Sequence, residues 1–361
     1  MSYGHTETDY IVSPGDVLED YLDSREISKQ EFATRCDRSA KFISEIIAGK
    51  ATLTEETAIQ FGRVLNTNPI MWVELESSYR LKLAQKRDAE DLAANKKWLA
   101  EFPVKDMQKF GVIEKGLPLS EVAQAVLAFF KVASPSALQN VFAKQTETLA
   151  FRRSKSLESH PHAVMTWLQW GEAIARTIEV KDYSASQFKS LLKEIRALTV
   201  DESPDFADRM TALCAEAGVR LVFTPELKGT CLSGATRWVG DNPIIQLSLR
   251  HKSDDHLWFT FFHEAGHVLL HGKKAVFLDE GKANFKDDKE NEADEFAQDF
   301  LIPRNAWEAF IAVRPFTEAR MIKLANDHKI APGIVLGRLQ HVGLFPHPTK
   351  LNYLKKRLTW E

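Results

Sequence analysis

LWFTFFHEAGHVLLHG, residues 257–272, is the stretch from which the rest of the chain can be read. Apolar Leu257, Phe261, Phe262, Leu269 and Leu270 predict a buried helix, and Gly272 is placed to end it. His263 and His267 stand four residues apart. That spacing puts both imidazoles on one helical face, about 6 Å from each other and within reach of one zinc ion. Glu264, beside the first histidine, can take a proton from a water at the open metal position, the general-base role in zinc hydrolases. A third protein ligand is then required. Downstream, residues 290–297 (ENEADEFA) predict a second helix whose buried stripe is Ala293, Phe296, Ala297 and Phe300. Glu292 flanks that stripe beside Phe296 and is the predicted third ligand, with Glu290 and Glu295 also allowed by spacing. His271 continues the histidine stripe. It lies eight residues beyond His263, roughly 12 Å along a helix axis, so it is expected in an outer role or at the helix end. His256 reads as surface, and Cys231 as a small hydrophobe.

Outward from this core, residues 205–361 predict one α+β domain. Strand-like runs at 219–223, 234–239 and 244–249, the last two joined by a turn at Gly240-Asp241-Asn242-Pro243, predict a three-stranded sheet packed on the zinc helix. Near the end, MIKLANDHKIAPGIVLGRLQ predicts two short helices joined by a Pro-Gly turn. Residues 81–204, rich in Ala, Leu, Lys, Gln and Glu, predict a helical connector in which Trp167, Trp170 and Phe151 are core residues. Residues 13–80 predict five short helices. Ser28 with Glu31 suggests a capping box, Ser39 and Thr54 are caps, Gly49 is a left-handed stop, and Pro69 opens the last helix. Residues 1–12 read as a loose tail. The whole is expected to be α+β and mostly helical.

Two resemblances cover most of the chain. FHEAGHVLLHG and NEADEFAQDFLIP, preceded by LSGATRW and PIIQLSLR, resemble the ImmA/IrrE family of zinc metallopeptidase-like proteins. That resemblance implies a zincin-like fold, Zn2+, Glu264 as general base, Glu292 as third ligand, and cleavage of repressor-type regulators. Residues 14–81, including SEIIAGKA and NPIMWVELE, resemble the Xre/Cro-type helix-turn-helix domain of HigA-like antitoxins. Helices over 27–35 and 39–47, with Asp37 in the turn, would be the two motif helices. Ser39, Ala40, Lys41 and Ser44 would then meet base edges, with Lys29 on phosphate and Arg38 and Lys50 keeping the edge positive. The pieces FRRSKSLESHPHAVMTWLQWGEAIA and KKWLAEFPVKDM resemble the connector of longer proteins that fuse these two domains.

The 361 residues carry 47 basic and 50 acidic side chains, a net charge of −3, which excludes a histone-like polycation. Residues 1–80 hold eight Lys/Arg against fourteen Asp/Glu, so the head is net −6 and DNA binding is expected to need a homodimer on a two-fold site. Three scattered cysteines, no basic-then-apolar leader and no membrane-length apolar run predict a cytoplasmic protein without a membrane partner. The expected function is a regulator whose zinc endopeptidase cleaves itself or another regulator. The alternative is a non-catalytic antitoxin or repressor that binds operator DNA and a HigB-like toxin, with the peptidase fold as a structural or sensor module.

Overall fold

A computed structural model describes residues 11–150, 160–201, 203, 205–273, 276–279 and 288–359, with the side chains of 145–150 excepted. The predicted tail at 1–12 and Phe151 lie largely or wholly outside these. Two units are present: Met1–Lys96 with Pro118–Gln124, and Lys97–Leu117 with Ala125–Glu361.

The first unit holds α1 (Pro14–Ser24), α2 (Lys29–Arg35), α3 (Ala40–Ile47), α4 (Glu55–Leu65) and α5 (Pro69–Ala94). Each starts at a polar side chain that accepts an orphan amide: Ser13, Ser28, Ser39, Thr54 and Asn68. The reciprocal capping box forms at Ser13 and Asp16. At Ser28 only the serine half forms, because Glu31 turns to Arg35, 2.5 Å away. Leu18, Phe32, Ile43, Phe61 and Trp72 fill the core, with Phe32 and Trp72 set edge-on to Phe61. Asp37 (φ 53°) makes the tight turn between α2 and α3. Helix α5 runs unbroken through residue 80, where the sequence predicts a boundary, because nothing in 69–94 after Pro69 disfavours helix.

A short 3₁₀ turn (Lys96–Glu101), α6 (Val104–Lys109), α7 (Leu119–Phe130) and α8 (Pro135–Ala150) follow. Among the described residues only Leu119–Lys144 is apolar and helical over a membrane-spanning length. Lys131, in a left-handed conformation, and Pro135 break it into two helices.

The site rests on the remainder of the second unit: α9 (Pro161–Ala175), α10 (Ala185–Ala197), α11 (Phe206–Glu216), β1 (Arg220–Phe223), β2 (Gly234–Val239), β3 (Asn242–Leu247), α12 (Asp254–Leu270), β4 (Phe277–Asp279), α13 (Asp288–Leu301), α14 (Arg304–Ile311), α15 (Glu318–Asp327) and α16 (Pro332–His341). The sheet has four strands in the order β1-β3-β2-β4, with β1 parallel to β3 and the other pairs antiparallel. Its fourth strand, three residues long, carries too short a pattern to be seen in sequence. The β2–β3 hairpin closes on two residues, Gly240 (φ 64°) and Asp241, so Asn242 and Pro243 belong to β3 rather than to the turn. Pro332 likewise opens α16 instead of making a turn.

Strand alternation sorts the sheet's two faces. Leu221, Ile245 and Leu247 join Phe261, Phe262 and Ala265 of α12 in the main core, while Val222 and Ile244 pack with Ala175 of α9. Helix α9 therefore covers the face opposite the histidine helix, and Phe188, Leu192 and Ile195 of α10 enter the main core. These helices fall within the connector by sequence, yet an apolar second sheet face cannot be left to water, and α9 supplies its cover.

Candidate metal centre

Helix α12 is buried along nearly its whole length, and His263, Glu264 and His267 are all buried. Helix α13 can lie close against it because Gly266 has no side chain. A Cβ there would come 3.2 Å from the Cα of Ala293 and from the Phe296 ring. The buried stripe of α13 is Ala293, Ala297 and Leu301. Glu290, three residues before Ala293, and Asp294, one turn beyond Glu290, are therefore carried to the histidines.

Glu290 Oε2 lies 3.2 Å from His263 Nε2 and 3.4 Å from His267 Nε2, and the two Nε2 atoms are 3.0 Å apart. Among the described residues these three are the only group whose His, Cys, Asp or Glu donor atoms converge in this way. Asp294 Oδ1 accepts from His263 Nδ1 at 2.8 Å, so a neutral His263 turns its lone pair on Nε2 towards the cluster. Two nitrogen lone pairs and a carboxylate oxygen this close repel unless one positive charge, a proton or a metal ion, sits among them. The directions of titration describe the proton-bearing form. Burial works against charging His263, but its bonds to Asp294 and Glu290 outweigh this and raise it well above the usual histidine range. Burial lowers His267 to about 4 and keeps it neutral. Burial would raise Glu290, yet its two imidazole partners hold it well below the usual carboxylate range. Two imidazoles and one carboxylate are also the donor set of a catalytic zinc site, so the residues present fit the ion.

The structure corrects the assignment of the third acidic residue. Glu292 points away from the pair and meets His271 Nε2 at 3.0 Å, while Glu295 pairs with Arg304 on the outer face. The sequence reading centred the buried stripe on Phe296 and Phe300, which are only partly buried. The small residues Ala293 and Ala297 mark the true contact face. The signal was present as Glu290 and Asp294, four apart on that face. Asp294, whose carboxylate meets His263 Nδ1, is not singled out by the sequence.

Glu264 is fully buried, and neither carboxyl oxygen has a hydrogen-bond partner. Burial pushes its pKa well up. Strand β2 runs beside it: Thr236 Oγ1 donates to the Glu264 main-chain oxygen, and a Cβ on Gly234 would fall 2.6 Å from Glu264 Oε1. Phe277 of β4 stacks on the His267 ring at 3.7 Å. Towards the start of α12, a cleft of about 60 Å³ lies between α12, α13 and α16. Phe259, Leu301, Ile302, Ile334 and Arg338 are among its walls. His256 is at its exposed rim, and Cys231 joins no cluster among the described residues.

In the head, Ser39 is the cap of α3 and Ala40 its first residue, and Ser44 Oγ donates back to the Ala40 carbonyl. Lys41 is 84% exposed at its side chain, and Lys50 follows the helix on the surface. Three of the predicted basic contacts have partners within the head, Lys41 lying 3.8 Å from Glu45. Lys29 pairs with Glu19 at 2.7 Å, and Arg38 Nε donates to Gln60.

Comparison with known proteins places both parts. Residues 214–340 match the M78 peptidase family model, described as an IrrE N-terminal-like domain. The HTH-type transcriptional regulator YddM of Escherichia coli (strain K12) is 36% identical over 73 residues, 20% of this chain and 78% of that protein. The chain belongs to the HTH-type transcriptional regulators and carries an IrrE N-terminal-like domain at its C-terminus. Solved structures similar to this regulator include an antidote protein of a plasmid maintenance system from Nostoc punctiforme (31% identity, 22% of this chain and 88% of that one, TM-score 0.22). Another is the Pseudomonas aeruginosa antitoxin HigA with the higBA promoter (24% identity, 24% and 95% coverage, TM-score 0.22). In this regulator the M78 match spans β1 to β4 and α12 to α16, so it contains every residue of the His-His-Glu cluster.

Proposed function

We propose that this regulator is a zinc-dependent endopeptidase joined to a DNA-binding head, and that it cleaves a regulator protein or itself. The observation that carries the reading is the convergence of His263 Nε2, His267 Nε2 and Glu290 Oε2 beside a buried Glu264 whose carboxyl oxygens have no partner. His263, His267 and Glu290 would hold the ion. What zinc supplies when bound there is Lewis acidity, towards a scissile carbonyl and towards water. Glu264 would take the proton of the attacking water and pass it to the leaving amide nitrogen. Asp294 keeps His263 in the ligating tautomer. The cleft beside Phe259 has apolar walls suited to a substrate side chain. The head would place the peptidase on operator DNA through the start of α3, with Ser39, Ala40, Lys41 and Ser44 towards bases and Lys50 towards phosphate. A homodimer would supply the phosphate contacts that a net −6 head lacks. Cutting between head and body would release one half of such a dimer and its avidity.

Metal content of the purified protein by mass spectrometry tests the site. About one zinc per chain is expected, lost in Glu290→Ala and in the His263→Ala/His267→Ala pair. Cleavage of co-expressed regulators or of the chain itself should stop in Glu264→Gln with zinc retained. No zinc in the wild type after reconstitution at neutral pH would refute the peptidase reading.

A further inference from the structure

We infer that Glu292 acts through His271 as a positioning residue, fixing the tautomer of His267 so that its Nε2 lone pair faces the metal position. This rests on the metal-centre reading given above. Helix α12 ends at Leu270, and His271 leaves it in an extended conformation (φ −119°, ψ 107°) with its N–H on the His267 carbonyl. That bend turns the His271 ring back along the helix. Its Nδ1 comes 3.0 Å from His267 Nδ1, and its Nε2 comes 3.0 Å from Glu292 Oε2. Both imidazoles are buried, and Phe277 stacks on the first of them, so neither ring has room to turn aside.

Proton bookkeeping gives the chain its direction. A carboxylate can only accept, so His271 Nε2 carries the hydrogen that Glu292 receives. Neutral His271 has one N–H, so its Nδ1 is an acceptor. His267 Nδ1 must then donate to it, which leaves the lone pair of His267 on Nε2, the atom facing His263 and Glu290. The same device serves His263 in one step through Asp294. His267 needs two steps because the acidic residue on its side of α13, Glu292, stands on the helix flank, 61% exposed at its side chain.

Reversing the end group reverses the chain. In Glu292→Lys the ammonium donates to His271 Nε2, His271 Nδ1 then donates to His267 Nδ1, and the remaining proton of His267 sits on Nε2, facing the metal position. The experiment measures zinc affinity of the full-length protein at pH 7.5 by competition with a chromogenic chelator. The cobalt(II) absorption spectrum serves as a second readout of ligand geometry. Four variants are compared: Glu292→Lys, Glu295→Lys, His271→Phe, and Glu292→Lys combined with His271→Phe. Glu295→Lys makes the same charge change on the same helix without the relay.

Glu292→Lys and His271→Phe are each expected to weaken zinc by about 10–100-fold and to alter the cobalt spectrum. Glu295→Lys should change affinity less than about threefold, and Glu292→Lys should add nothing once His271 is gone. Equal loss in Glu295→Lys and Glu292→Lys, or wild-type affinity in Glu292→Lys, overturns the inference while leaving the metal centre intact. Those comparisons hold even if His271→Phe does not fold. Zinc binding by the wild type no tighter than by His263→Ala/His267→Ala overturns the metal centre and this inference together.

Discussion

Replacing Gly171 by alanine tests how the sheet behind the metal helix is held. Gly171 lies on α9, where a Cβ would stand 2.1 Å from Gln246 Cδ and Oε1 and 2.4 Å from Nε2. The far end of a glutamine could ordinarily swing away. This one is fully buried and fixed from three sides. Its Nε2 donates to the Trp167 carbonyl and to Thr224 Oγ1, both at 2.8 Å, and its Oε1 accepts from Arg237 Nη1 at 3.0 Å. Arg237 is itself buried and donates to the Leu168 carbonyl at 2.7 Å. Relieving the overlap moves the amide by more than 1 Å, breaks the three bonds, and strands part of a buried guanidinium. At about 1 kcal/mol per bond plus about 1–2 for overpacking, the cost is about 4–5 kcal/mol. For a unit of this size that corresponds to a fall of roughly 8–20 °C in Tm. The assay is urea and thermal unfolding of the full chain, following the transition of the second unit. Gln246→Ala should also be costly, but combined with Gly171→Ala it should cost much less than the sum, since the clash has gone. A Gly171→Ala protein within about 0.5 kcal/mol of wild type, or an additive double variant, would show that the network does not bear on stability.

Three further outcomes are expected. Gly234→Ala should displace the Glu264 carboxyl without touching a metal donor, so hydrolysis should fall by about 100-fold while zinc content stays at wild type. An equal loss of zinc would place Gly234 in structural support instead. Asp254 is raised to about 6, first by burial and then by the neighbouring Asp255 charge. A carboxyl raised on folding costs stability above its folded pKa and nothing below its unfolded value near 4. The stability gained by Asp254→Asn relative to wild type should therefore grow by up to about 3 kcal/mol as pH rises from 4 to 7, read from urea midpoints. A pH-independent difference would contradict it. Lys50→Ala should weaken duplex binding at all sequences and lower the slope of log affinity against log salt by about one per head bound, measured by fluorescence anisotropy. An unchanged slope would take Lys50 off the phosphate backbone.

Much of this was legible in residues close together in the chain. The His263-to-His267 spacing, the capping residues at 28, 39 and 54, and the β2 and β3 runs are local patterns, and local sterics and hydrogen bonding decide them. The head's five helices, the turn at Asp37 and the left-handed stop at Gly49 belong to the same class. Misreadings arose where a partner distant in sequence had to be known. Glu292 looked like the ligand because Phe296 and Phe300 looked like the buried face. The actual contact is made by the smallest residues, Gly266 against Ala293, and that selected Glu290 and Asp294. The short strand β4 and the cover of the sheet by α9 were hidden for the same reason.

By itself, then, the sequence determined most of the helices, strands β1 to β3 and the spacing of His263, Glu264 and His267 on one helix, since each depends on side chains a turn or a few residues apart. Only the tertiary structure decided which carboxylate meets the histidines, which histidine is steered through a second one, and what lies behind the sheet. Those choices are set by how closely two helices approach, a distance governed by side-chain volume at their crossing and invisible to periodicity along either one.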